Sequence, residues 1–208
     1  MKRLLISLII TLALLVNPLP LLSDIRSIQR LIIRIDDIAG DGFCTTFSIN
    51  REKGYWVTAA HCTGLEMPEA WHYIISGQVA TPIKIDRSMD LAILVGPKAG
   101  SLWLQPIAPK GGELINIVGY LDGSPFLSVL EGSLVNPNSI VLPDWWVHNA
   151  IFETSPLNFR GVSGGPIMLD GKVISVMQGW AEDYEGNKVQ LGAVYEDLRE
   201  FTEGFWDR

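Results

Sequence analysis

The sequence predicts an all-β protein: two groups of about six strands, folded as two β-barrels or sandwiches side by side, with a short C-terminal helix. Three observations predict it. Short runs rich in β-branched and aromatic residues are separated by turn residues, with little helical periodicity. A stretch rich in Pro and Gly, PKAGSLWLQPIAPKGG (97–112), breaks the pattern near the middle and reads as a crossing linker. The tail VYEDLREFTEGFWDR (194–208) sets Val194, Leu198, Phe201 and Phe205 on one helical face, a stripe suited to packing on the second group.

In chain order, the first 23 residues stand apart from the fold. Lys2 and Arg3 precede an uncharged, predominantly apolar run over 4–16, and Pro18 and Pro20 break any helix, which is the layout of an export signal. With Leu21 and Ser23 at its key positions the cleavage site is poor, so an uncut membrane anchor is the competing reading. Either way the chain leaves the cytoplasm. The first group, about 29–97, holds LIIRI (31–35), FCTTFSI (43–49), YWVTAA (55–60), WHYIIS (71–76), TPIKI (81–85) and LAILVG (91–96). The polar loop NREKG, ending in Gly, joins the second and third of these as a hairpin. After a linker of about 98–112, the second group, about 113–208 with the helix, holds LINIVGY (114–120), FLSVLEGSLV (126–135), SIVLP (139–143), WWVHNAIFET (145–154), PIM (166–168), VISVMQG (173–179) and VQLGAVY (189–195).

Composition narrows the function. At 208 residues and 48% hydrophobic the chain builds a sizeable core, as one domain or two small lobes sharing a cleft. A net charge of −7 argues against nucleic acid, whose phosphates need a basic face. The two cysteines, Cys44 and Cys62, read as a disulfide in an exported chain. Two Cys without a His cluster of ligand spacing argue against a metal site, and no cofactor is implied.

The chemistry centres on RGVSGGPIM (160–168), where glycines surround the hydroxyl of Ser163. A tight turn is the bland reading; a nucleophile whose backbone folds around a reacting carbonyl is the sharp one. Deciding between them needs a base, an orienting acid and the right chain order. Of the three histidines, His72 and His148 read as structural, whereas His61 ends a strand in VTAAHC directly before Cys62. Asp90 in SMDLAILVG precedes an apolar strand, so its carboxylate is expected to be partly buried and partnered; Asp86 is a rival that reads as turn. GVSGG also fits the G-x-S-x-G elbow of α/β-hydrolases. That elbow needs a helix after the serine and a later histidine; Pro166 leads into a strand and no histidine follows. The order His61, Asp90, Ser163 is the one used by the double-barrel serine peptidases.

TAAHC with an upstream Cys, DLAIL and GVSGGP together resemble the trypsin/chymotrypsin-type serine peptidases, over nearly all of 31–208. The short spacings, and LDGKVISV after the serine, look most like the bacterial HtrA/Deg protease domain; no segment of PDZ size follows. The resemblance implies two packed six-stranded antiparallel barrels. It implies Ser163 as nucleophile, His61 as general base and Asp90 as the group fixing the imidazole tautomer. The backbone N–H groups of Gly161 and Ser163 would form the oxyanion hole, and a Cys44–Cys62 bridge would hold the strand end carrying His61. Two departures matter. Val162 stands where many animal digestive enzymes have an Asp that pairs with a new N-terminus, so activation by N-terminal insertion is not expected. Leu157 stands where selectivity for Lys or Arg needs an acid, which favours an apolar or small residue before the scissile bond. Asn158, Phe159, Met177, Gln178 and Gly179 are the remaining expected pocket residues. The resulting expectation is an exported serine endopeptidase acting on polypeptide. A catalytically silent binding module on the same fold and an esterase using the same triad are the alternatives.

Overall fold

The computed structural model describes residues 25–35, 41–64, 71–121, 124–138, 149–154, 160–182 and 188–207. The proposed export signal, the strand expected over 139–143, the start of that over 145–154, His148, and Leu157 to Phe159 lie outside them.

Twelve strands are present among the described residues: β1 (Ile28–Ile35), β2 (Asp41–Asn50), β3 (Tyr55–Ala59), β4 (Trp71–Ile75), β5 (Gln78–Asp86), β6 (Leu91–Val95), β7 (Leu114–Tyr120), β8 (Leu127–Asn136), β9 (Asn149–Thr154), β10 (Pro166–Leu169), β11 (Lys172–Glu182) and β12 (Lys188–Ala193). They close into two six-stranded barrels, β1-β2-β3-β6-β5-β4 and β7-β8-β9-β12-β11-β10. The second repeats the connectivity of the first, strand for strand. Each closes because its first strand pairs with its fourth, Leu31 opposite Ile75 in one and Ile117 opposite Ile167 in the other. Sandwiches, which the sequence left open, are thereby excluded.

Three apolar clusters explain why so many strands read as continuous apolar runs. Leu31, Trp56, Tyr73, Ile75 and Leu94 fill the first barrel; Ile115, Ile117, Phe152, Ile167 and Ile174 fill the second. A third cluster lies between them, where Phe47, Ile49, Val57, Leu91 and Ile93 meet Val118, Met168, Val173 and Val176. In β6, Ala92 and Leu94 face one way and Leu91 and Ile93 the other, and all are buried. A strand covered on both faces has no polar side to show. In β2 two of the buried polar residues bond across the fold: Thr46 Oγ1 donates to the Val57 carbonyl (2.8 Å) and Asn50 Nδ2 to that of Phe205 (3.1 Å).

Between β6 and β7 the chain bonds to both barrels. Leu102 N–H donates to Ser48 O (2.9 Å) on the first barrel, and Gln105 N–H to Val173 O (2.9 Å) on the second. Helix α1 (Tyr195–Phe201) ends four residues short of the apolar stripe, where Thr202 Oγ1 bonds back to the Leu198 carbonyl (2.6 Å). Leu198 and Phe201 belong to the inter-barrel cluster rather than resting on the second barrel only. The first barrel grips the helix end: Lys84 Nζ donates to the Phe201 carbonyl (2.7 Å) and lies 4.5 Å from the Phe201 ring centroid. A cation on the last carbonyls of a helix is stabilising. Lys84→Met is expected to cost about 1 kcal/mol, read as a fall of roughly 2–4 °C in melting temperature. Among the described residues no helix is long and apolar enough to cross a membrane.

Candidate active site

Beyond β3 the chain tightens into a 3₁₀ turn, Ala60–Thr63, that carries His61 and Cys62. Thr63 Oγ1 closes the turn on the Ala60 carbonyl (2.7 Å), and the Tyr73 hydroxyl donates to the Thr63 carbonyl. Gly64, at φ +73°, ends it, and Arg87 Nη2 holds its carbonyl (2.9 Å). Cys62 is joined to Cys44 of β2 with Cα atoms 6.3 Å apart. A His61 ring nitrogen lies within 4.8 Å of both sulfurs, but bonded sulfurs offer no thiolate to a metal. Closing an 18-residue separation is worth about 3 kcal/mol. The double variant Cys44→Ala/Cys62→Ala is expected to melt roughly 6–12 °C lower.

Asp86 builds the turn between β5 and β6. Its Oδ1 accepts from Ser88 N–H (2.9 Å), Ser88 Oγ (2.6 Å) and Met89 N–H (3.1 Å). The Ser88 hydroxyl, ahead of the backbone bonds, holds the Asp86 carboxyl below the usual carboxylate range. The turn delivers Asp90 at φ +50°, in the left-handed region, and only 6% exposed. Its carboxylate is satisfied twice by one residue: Oδ1 accepts the backbone N–H of His61 and Oδ2 the ring Nδ1–H, both at 2.8 Å. An ionised carboxylate only accepts, so the proton sits on Nδ1 and leaves Nε2 basic. The His61 side chain is 41% exposed.

Ser163 comes from the loop between β9 and β10, which the first barrel holds down. Thr45 N–H donates to the Ser163 carbonyl and Thr45 Oγ1 to the Gly161 carbonyl, each at 2.8 Å. The same Oγ1 accepts Tyr120 N–H (2.9 Å). Gly164 N–H donates to Met177 O (2.7 Å) and Gly165 N–H to Val162 O (2.8 Å). Gly161 and Gly164 sit at φ +89° and +82°. A Cβ on Gly164 would stand 2.0 Å from Thr58 Oγ1 and 2.3 Å from the Thr45 carbonyl oxygen, so the close approach of the two barrels requires glycine. The amide N–H groups of Gly161 and Ser163 have no acceptor among the described residues. The Ser163 hydroxyl makes a long 3.4 Å hydrogen bond to the Gln178 carbonyl, and none to His61.

His61, Asp90 and the Ser163 loop thus converge between the barrels; the sulfur of Cys62, next to His61, lies 3.9 Å from the Ser163 carbonyl oxygen. His72 is elsewhere, exposed on β4 opposite Arg34. Of the expected pocket residues, Met177 is buried in the second-barrel core. Gln178 turns its side chain toward the Asp90 turn, its Nε2 donating to the Met89 carbonyl (2.6 Å). Gly179 faces open space. Val162 is fully buried in the second barrel, which accounts for an apolar residue before Ser163. Two contributors escaped sequence reasoning: Thr45, which pins the serine loop, and the Gln178 amide. A threonine inside a strand carries no signal; only the meeting of β2 with a loop more than a hundred residues away gives it a task.

No protein-family model and no curated protein matches the chain. Among solved structures it is similar to the Rv3671c protease of Mycobacterium tuberculosis in its active form, at a TM-score of 0.71 and 18% identity, over 94% of this chain and 88% of that one. The inactive form of that protease aligns at 0.68 with 21% identity, over 91% and 93%. An inactive serine-to-alanine variant aligns at 0.66 with 20% identity, over 90% of each chain. Double closure, repeated connectivity and this likeness agree: the chain has the chymotrypsin-like fold of two six-stranded antiparallel β-barrels.

Proposed function

We propose that the protein is an exported serine endopeptidase that cleaves polypeptides through Ser163, His61 and Asp90. The observation that carries this reading is the two-point hold of Asp90 on His61, ring and backbone, beside the loop of Ser163. It sets the tautomer in which Nε2 accepts a proton. Serine turns from the Gln178 carbonyl toward Nε2, passes its proton there and attacks the scissile carbonyl carbon. The carbonyl electron pair moves onto oxygen, and the N–H groups of Gly161 and Ser163 receive the oxyanion. Each such donor is worth about 2.7–4 kcal/mol in the transition state. Collapse expels the amine, which takes the proton from His61 and leaves an ester on Ser163. Water, deprotonated by His61, then releases the acid.

No step needs a cofactor. The Cys44–Cys62 bond supports export, because disulfides persist in oxidising compartments, and the N-terminal segment serves as signal or, uncut, as tether. Leu157, standing where selectivity for Lys or Arg needs an acid, favours an apolar or small residue before the scissile bond, with Asn158, Phe159 and Gly179 among the residues lining the pocket. Buried Val162 offers no acid for a new N-terminus, so activity does not wait on N-terminal insertion.

The test is labelling with a fluorophosphonate, which reacts only with an activated serine. Wild type is expected to label and Ser163→Ala to stay unlabelled. The turn of the serine hydroxyl toward Gln178 is the one observation favouring a silent binding module. An unlabelled wild type would overturn the peptidase reading and point to that one. Casein cleavage against turnover of small esters then separates peptidase from esterase.

A further inference from the structure

Gln178, on β11 of the second barrel, is 8% exposed, and its side chain crosses to the first barrel. Its Nε2 donates to the Met89 carbonyl at 2.6 Å and lies 3.4 Å from the Asp90 carbonyl. Those two carbonyls belong to the peptide units on either side of the Asp90 Cα. Holding both planes fixes the two backbone torsions of Asp90, and with them the direction of its Cα–Cβ bond. Those torsions need holding, because Asp90 is a non-glycine residue at φ +50°. The Asp90 carbonyl also receives Ala60 N–H (3.1 Å), from the segment bearing His61. The backbone carbonyl of the same Gln178 receives the Ser163 hydroxyl. One residue therefore touches the acid's backbone and the serine, from opposite barrels.

We infer that Gln178 is a positioning residue, setting the aim of the Asp90 carboxylate, and through it His61, relative to Ser163. Stability does not account for the choice of side chain. Gln178 Oε1 is buried with no partner, an unsatisfied acceptor that an apolar residue of the same length would not bury. The consequence for rate rests on the proposed peptidase reading.

Gln178→Met keeps the length and removes both the donor and the orphaned acceptor. Gln178→Asn keeps the amide and withdraws it by one methylene. In the full chain, both are expected to lower the fluorophosphonate labelling rate and kcat on a peptide substrate roughly 10- to 100-fold, with KM within about twofold. The melting temperature of Gln178→Met should stay within about 2–4 °C of wild type, because loss of the Nε2 bond to the Met89 carbonyl is offset by removal of the buried, unpartnered Oε1. A merely structural residue would behave oppositely, losing stability while the folded fraction kept its kcat. Wild-type labelling and kcat in Gln178→Met would overturn the inference, as would a loss matched by unfolding with Gln178→Asn unaffected. If wild type itself fails to label, the peptidase reading falls and takes this consequence with it; if wild type labels and the variants do so equally, only the positioning role falls.

Discussion

Asp90→Asn is expected to lower kcat about 10⁴-fold while the protein stays folded. The reason lies in the two hydrogen bonds that one carboxylate makes to one residue, to the His61 backbone N–H and to ring Nδ1. A carboxylate accepts at both oxygens; an amide accepts at one end and donates at the other. With the Asn oxygen on the ring, its NH₂ faces the His61 backbone N–H, donor against donor. The ring can change tautomer and the backbone amide cannot, so the oxygen goes to the backbone and the NH₂ to Nδ1. Nδ1 must then accept, the proton moves to Nε2, and the nitrogen meant to receive the serine proton is already occupied. The negative charge behind the imidazolium is lost as well. Steady-state kinetics on a peptide substrate, with thermal melting as the check on folding, measures both halves. Retention of kcat within tenfold would mean that Asp90 does not set the tautomer.

The burial and partnering of Asp90 are legible because its surroundings constrain it. A carboxylate at the mouth of an apolar strand must find a partner. Strands were legible for the same local reasons, with errors where pairing is decided elsewhere. Reading β5 from Thr81 missed Gln78 to Ala80, which pair with β4 across a two-residue turn, Ser76 and Gly77, both at positive φ. Val79 in that stretch is exposed, so no buried alternation announces it. Choosing barrels over sandwiches depends on β1 meeting β4 and β7 meeting β10, contacts that no window of sequence contains. Periodicity gives the tail's apolar face and not its partner, so from sequence it points to one lobe; in the fold Phe47 and Ile49 of the first barrel join the same cluster. Thr45 and the Gln178 amide were hidden for a related reason. Their side chains bond to backbone carbonyls, which every residue has, so no residue type in the sequence points back at them.

The glycine between Ser163 and Gly165 provides the second large effect, in stability as well as rate. Gly164→Ala is expected to cost about 2–5 kcal/mol, the sum of left-handed backbone strain and a steric conflict. At φ +82° an L-residue is strained whatever the space around it. Here the space is also gone: a Cβ would meet Thr58 Oγ1 at 2.0 Å, the Thr45 carbonyl oxygen at 2.3 Å and the Ala59 nitrogen at 3.0 Å. Two of those are backbone atoms of paired strands, which cannot step aside as a flexible side chain would. The loop must lift instead. Lifting breaks the Thr45 hydrogen bonds to the Gly161 and Ser163 carbonyls, which fix where the serine and its neighbouring amides point. Labelling of Ser163 should therefore fall along with the melting temperature. Gly171 supplies the control, since it too has positive φ, +75°, but no atom lies within 4 Å of its Cβ position. Gly171→Ala should carry only the backbone strain, about 1–2 kcal/mol, and label at the wild-type rate. If the two variants melt alike, strain alone accounts for Gly164. If they differ by the predicted margin, the glycine is there because two barrels must touch at the point where the serine sits.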